Sequence, residues 1–177
     1  MNFLKYGLPW VCYGIGLGTN HPAWGSLAAF LLVAGAIAAA PRRTKSVEVV
    51  LGIFFLLSAC RISWLVPWQA SLAPALLALL AFGSLAVGRP FTTAFAREVA
   101  PPEVWDDPRF LFVNRFLTVF WGTAFLFCAW LRHWRGLPPA ATLALSCLVM
   151  FLAALFTKGF PEWYRRRSEA TAPSSRR

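Results

Sequence analysis

Apolar residues run along this chain in six long blocks separated by short polar or proline-bearing breaks. The blocks fall at about Leu4–Gly18, Trp24–Ala40, Val47–Trp64, Ala70–Val87, Phe110–Leu131 and Ala140–Thr157. A helix needs about 20 apolar residues to cross the hydrocarbon of a bilayer, and several blocks approach that length with almost no charge. The pattern therefore predicts an all-α, polytopic transmembrane helix bundle of about six spans. Small residues predict where neighbouring helices approach closely. Gly14 and Gly18, four apart, share a face of the first block, and Gly25, Ala29 and Gly35 recur on the second. The series Gly14-x-Gly16-x-Gly18 does not read as a phosphate-cradling loop, which would need a strand before it and a helix after it. Pro74 stands near the start of the fourth block, where proline disturbs a helix least.

The longest break separates the fourth and fifth blocks. Within it Phe91, Ala94, Phe95 and Val99 recur at helical spacing, with Thr93, Arg97 and Glu98 on the remaining surface. That spacing predicts a short amphipathic helix lying in the cytoplasmic interface between spans four and five. Pro101 and Pro102 end it, Trp105 anchors the return at headgroup depth, and Asp106-Asp107-Pro108 caps the fifth span. Inside that span Asn114, Thr118 and Gly122 follow at i, i+4 and i+8 and form one polar, small-residue strip. Arg115 is roughly 8 Å from the start of the span at 1.5 Å per residue, close enough for its guanidinium to reach the inner interface. Glu48 and Arg61, near the two ends of the third block, can do the same. Two readings of the strip stand side by side. It packs helices, or Asn114 and Arg115, with Glu98, Glu103 or Asp107, line an inward-facing polar site, because polar groups in hydrocarbon are costly unless paired or used.

Composition supports the membrane assignment: 58% of residues are apolar, 14% are charged and mean hydropathy is +0.58, outside the usual soluble range. The net charge of +10 would suggest nucleic acid for a soluble protein. Here the basic residues stand in clusters between apolar blocks, which is the arrangement that sets membrane orientation, so no nucleic-acid partner is expected. With the N-terminus inside, the inner side carries Lys5, Arg42, Arg43, Lys45, Arg89, Arg97, Arg109, Lys158, Arg165, Arg166, Arg167, Arg176 and Arg177. The outer side carries only Arg132 and Arg135, which places both termini in the cytoplasm. Trp24, Trp64, Trp68 and Trp134 fall near the outer boundary and Trp105 and Trp163 near the inner one, whereas Trp10 and Trp121 are expected between helices. The N-terminal block reads as a retained first span. One transmembrane domain over 1–164 and a disordered basic tail over 165–177 complete the organisation.

The chemistry expected of the chain is sparse. There is no HExxH, no GxSxG and no pair of aspartates within a span, so no enzyme is predicted. Cys12, Cys60, Cys128 and Cys147 fall in four different blocks without ligand spacing and read as small buried hydrophobes. His21 and His133 stand at the outer ends of spans as ordinary interface residues, and no metal or cofactor is expected.

Arg89-Pro90 at the end of a span, the amphipathic stretch through Arg97-Glu98, the return from Pro101-Pro102 to Trp105, and an aromatic span bearing Asn114, Phe120, Trp121 and Phe125 together resemble the bacterial intracellular septation protein A family. The layout of short spans, a basic loop after the second and a charged C-terminal segment extends the resemblance over most of the chain. Asp106-Asp107-Pro108-Arg109, inserted before the asparagine, and Gly-Arg-Pro-Phe-Thr at the head of the loop depart from that pattern and fit a related branch of small inner-membrane proteins. The resemblance implies a multi-pass protein of the bacterial inner membrane that works in cell-envelope upkeep or septum formation through membrane-protein partners, with no catalytic residues to carry over. The candidate contact residues are Arg89, Pro90, Phe91, Phe95, Arg97, Glu98, Trp105, Asp107, Asn114, Arg115 and Thr118. Beyond the lipid bilayer and those partners, self-association into a homo-oligomer is open to such a chain. A small transporter or channel for an ion or amphiphile, using a polar site near Asn114 and Arg115, is the competing reading.

Overall fold

The computed structural model describes residues 3–19, 21–40, 45–61, 68–134 and 136–171. Among these residues seven α-helices follow in order: α1 (Phe3–Gly18), α2 (Pro22–Ala39), α3 (Ser46–Ala59), α4 (Gln69–Ala86), α5 (Phe91–Ala96), α6 (Pro108–His133) and α7 (Pro139–Thr171). A 3-10 turn, Pro102–Val104, stands just before α6, and no strand occurs among the described residues. Three helical segments, Pro22–Ala39, Pro108–His133 and Ala140–Ser168, are long and apolar enough to cross a membrane, and Ser46–Ala59 and Ser71–Ala86 are shorter apolar helices. The basic cluster at 41–44, the segment 62–67 that begins with the last three residues of the expected third span, and 172–177 lie outside the described residues.

Two of the long helices end elsewhere than the sequence expectation places them. The third block was expected to run to Trp64 with Arg61 inside it, but α3 stops at Ala59. The Cys60 and Arg61 amides bond back to the Leu56 and Ser58 carbonyls, and Arg61 takes a left-handed φ of 47°, the conformation that closes helices. The sixth block was expected to end near Thr157, yet α7 continues for 33 residues and carries 165–171, expected in the disordered tail, as helix. Glu162 supports this extension by pairing with both Arg165 and Arg166 at 2.9 Å, three and four residues on.

Each long helix packs against the next long helix of the chain. The most extensive pairing joins α4 to α6, α5 is inserted beside both, and α7 covers α6. In the N-terminal half, Tyr13, Ala29, Val33, Leu51, Phe54, Phe55 and Ala73 form a continuous buried cluster drawn from α1 to α4. Trp10 sits between helices as expected, stacked on Phe54 at 6.1 Å and edge-on to Phe55 at 5.2 Å. Trp121 likewise reaches α7, donating its indole N–H to Thr157 Oγ1 at 2.9 Å.

The close approach of α1 and α2 uses a different glycine from the one the spacing indicated. Gly14 is exposed, and a methyl group there would meet nothing within 4 Å. Gly16 is the contact: a Cβ on it would fall 2.6 Å from Gly25 Cα, and one on Gly25 would fall 2.7 Å from Gly16 Cα and from the Cys12 carbonyl oxygen. Gly35 is exposed as well, whereas Gly25 and Ala29 are buried as expected. Cys128 is buried and Cys12 half-buried, but Cys60 and Cys147 are exposed, so two of the four cysteines are not core residues. The expectation failed because hydropathy marks a block as apolar without saying which of its faces meets protein.

Candidate functional site

The break between α4 and α6 begins at a defined helix stop. Gly88, at φ 72°, takes the left-handed conformation that glycine adopts without strain. The Gly88 amide bonds to the Leu85 carbonyl at 2.9 Å and the Arg89 amide to the Ser84 carbonyl at 2.8 Å, the paired bonds of a Schellman motif. The Ser84 hydroxyl then accepts the Phe91 amide at 3.0 Å, so the end of α4 and the start of α5 share one anchor. Pro90 is buried at that junction, while Arg89 is exposed.

A polar knot holds α5 against α6. The Thr92 hydroxyl lies 2.8 Å from the Asn114 main-chain carbonyl oxygen and 2.7 Å from the Thr118 hydroxyl, which is itself 2.8 Å from the same carbonyl. Two hydroxyl protons serve these three contacts, so one hydroxyl donates to the carbonyl and the pair shares the remaining bond. All three residues are buried, Thr118 completely. The Asn114 side chain is turned along its own helix, its Nδ2 donating to the Phe110 carbonyl at 2.8 Å. One turn further, Gly122 leaves room for Phe82 of α4: a Cβ there would fall 2.9 Å from the ring. The Asn114-Thr118-Gly122 strip thus faces α5 and α4.

A second fastening joins the loop to α3. Lys45 Nζ lies 3.8 Å from the centroid of the Phe95 ring and 2.7 Å from Glu98 Oε1, with Lys45 only 7% exposed. Glu48, also buried, accepts the Lys45 amide at 3.4 Å and so ties the start of α3 to the same corner. Phe91 packs edge-on against Phe95 with centroids 6.2 Å apart. Glu98 is 53% exposed, so its ion pair acts partly through solvent, and the cation on the aromatic face adds to it. Beyond α5, the Arg97 guanidinium lies 4.8 Å from the Trp105 ring centroid, and Trp105 Nε1 donates to the Ala100 carbonyl at 3.1 Å. Asp107 caps α6 by accepting the Arg109 amide at 2.6 Å, with Pro108 at the first helical position.

The predicted residues are therefore brought together unequally. Phe91, Phe95, Glu98, Asn114 and Thr118 take part in the two fastenings, and Arg97, Trp105 and Asp107 shape the return. Arg115 stands apart on an exposed face of α6. Glu103 is exposed on the 3-10 turn. Val99, expected on an apolar helical face, lies past the end of α5 and is 83% exposed, and Ala94 is exposed too. Thr92, Ser84 and Lys45 were not singled out by sequence reasoning. Lys45 was counted there only as a topological charge, and nothing in the spacing distinguishes Thr92 from Thr93. At the opposite end of the bundle His133 stacks on Trp68 at 5.5 Å, and no cluster of three metal-ligating side chains occurs among the described residues. Comparison with protein-family models, curated proteins and solved structures finds no match to this chain.

Proposed function

We propose that this chain is a non-enzymatic, multi-pass protein of the bacterial inner membrane, with both termini cytoplasmic. In this reading it acts through membrane-protein partners in cell-envelope maintenance or septation and presents the segment from Arg89 to Asp107 as its contact surface. The observation that carries the proposal is the double fastening of α5. A helix of six residues has too few hydrogen bonds to persist alone, yet this one is bonded to α6 through Thr92 and clasped to α3 through Lys45. The fastened segment still exposes Arg89, Arg97, Glu98, Val99 and Asp107. A surface held in shape before it meets its partner loses less conformational entropy on binding. The excess of basic residues on this side supports the orientation. The choice of process rests on the septation-family resemblance between Arg89 and Phe125.

Photo-crosslinking from position 99 in native membranes tests the reading. It expects an adduct with an envelope or division protein, weakened by Thr92→Val and by Lys45→Gln. Adducts only between copies of this chain, or an adduct indifferent to both substitutions, would count against it.

One observation favours a second reading, a small transporter or channel: Thr92, Asn114 and Thr118 bury polar groups beside an apolar helix. Against it, their hydroxyl groups and the carbonyl are bonded to one another, and Arg115 faces outward.

A further inference from the structure

We infer that the α6/α7 groove at the end of the bundle nearest the fastened loop is a binding site for an anionic phospholipid. This inference rests on the membrane reading but not on the assignment to septation. The groove has a volume of about 490 Å³ and is walled by Phe112 and Phe116 of α6 and by Phe160, Trp163, Tyr164 and Arg167 of α7. Its aromatic walls form a ladder: Phe116 stacks on Phe160 at 4.6 Å, Phe112 on Tyr164 at 5.1 Å, and Phe160 on Trp163 at 5.9 Å. One cation tops it, with the Arg167 guanidinium 5.4 Å from the centroid of the Trp163 ring.

The position of the groove along the helices specifies the ligand. An apolar stretch from Ala140 to Thr157 spans roughly 27 Å at 1.5 Å per residue, close to the thickness of bilayer hydrocarbon. Phe160 to Arg167 continue about 5 to 15 Å past that stretch, and the α6 rings on which Phe160 and Tyr164 stack, Phe116 and Phe112, lie within the first turns of α6, so the groove runs from the edge of the hydrocarbon to the headgroups. On α6 the groove begins at Phe112, one turn inside the cap at Asp107. Its aromatic part can take the upper acyl segment and its guanidinium a phosphodiester. Arg165 and Arg166 stand on the same turn as Arg167, and Arg115 is exposed one residue before Phe116, so a positive field surrounds the mouth. Glu162, an acidic residue near the mouth, is engaged by Arg165 and Arg166. A neutral amphiphile would use the aromatic wall but gain nothing from these charges.

Native mass spectrometry of the full-length protein in mild detergent, titrated with phosphatidylglycerol or with phosphatidylcholine of the same acyl chains, tests the site. Phosphatidylglycerol is expected to be retained more strongly. Arg167→Gln should weaken its retention about fivefold, the effect of losing one well-placed cation at an anionic surface, and weaken that of phosphatidylcholine, whose phosphodiester is offset by its own choline cation, less. Ser168 also lines the groove, and Ser168→Trp fills it without altering charge and should lower retention of both lipids. Arg132→Gln removes a cation from the far end of α6 and should change neither. Equal retention of the two lipids by the unaltered protein, no effect of Arg167→Gln or of Ser168→Trp, or an equal effect of Arg132→Gln would overturn the proposal. Displacement of phosphatidylglycerol by millimolar inorganic phosphate would also overturn it, by showing a soluble-anion site.

Discussion

Two threonine hydroxyls and one main-chain carbonyl decide how α5 meets the bundle. Because the acceptor belongs to the backbone, the knot survives a change of the Asn114 side chain better than the loss of either hydroxyl. Thr92→Val and Thr118→Val are each expected to lower stability by about 0.6 to 1.7 kcal/mol, the range of interhelical hydrogen bonds in membrane proteins. Asn114→Leu gives up only an intrahelical bond, and Arg115→Ala, on an exposed face, should stay within about 0.5 kcal/mol. Thermal unfolding in detergent measures the order, and solute flux in proteoliposomes should be unaltered throughout. A stable Arg115→Ala protein that had selectively lost flux would defeat the packing account and revive transport. The spacing of Asn114, Thr118 and Gly122 made the strip legible in the sequence, because three positions four apart define a helix face. Its partner was not legible. Thr92 lies 22 residues from Asn114, and a six-residue helix has too few turns to show which of two adjacent threonines faces inward.

At the scale of elements, small residues set how closely helices approach, since without water to expel, association in a bilayer depends on close packing and interhelical bonds. Between α1 and α2 that role falls to Gly16 and Gly25, whose backbones touch. A methyl group at either position meets backbone rather than a movable side chain, so the helices must separate. Gly16→Ala and Gly25→Ala are each expected to cost about 1 to 3 kcal/mol in detergent unfolding. Gly14→Ala should be neutral or gain up to about 1 kcal/mol from helix propensity. Equal losses at Gly14 and Gly16 would contradict the observed register. Three glycines at alternate positions offered two competing faces, and only the approach of α2 selected between them. The end of α7 has a similar origin. Its composition turns basic after Lys158, but the Glu162 pairs and the aromatic ladder against α6 carry the helix onward.

For the whole molecule, the alternating run of helices leaves the fastened loop and the basic end of α7 on one side. Single cysteines at 136 and 175, placed in a chain freed of Cys12, Cys60, Cys128 and Cys147, should react differently with a membrane-impermeant maleimide applied to intact cells or spheroplasts. Position 136 is expected to label from outside and 175 only after the membrane is opened, whereas labelling of both from outside would refute the orientation. Much of this architecture follows from the chain alone. Long apolar blocks set the helical class and the positions of the helices, because backbone polar groups removed from water must bond within their own segment. The charge asymmetry gives an orientation to test, and Asp107-Pro108 marks the start of α6 through local capping. Tertiary structure alone decided which glycine touches α2, that Lys45 closes over Phe95 and Glu98, that Thr92 joins Asn114 and Thr118, and that α6 and α7 enclose an aromatic groove. Each of those outcomes depends on which face of one helix meets another, and hydropathy, nearly uniform around these apolar helices, carries no record of that choice.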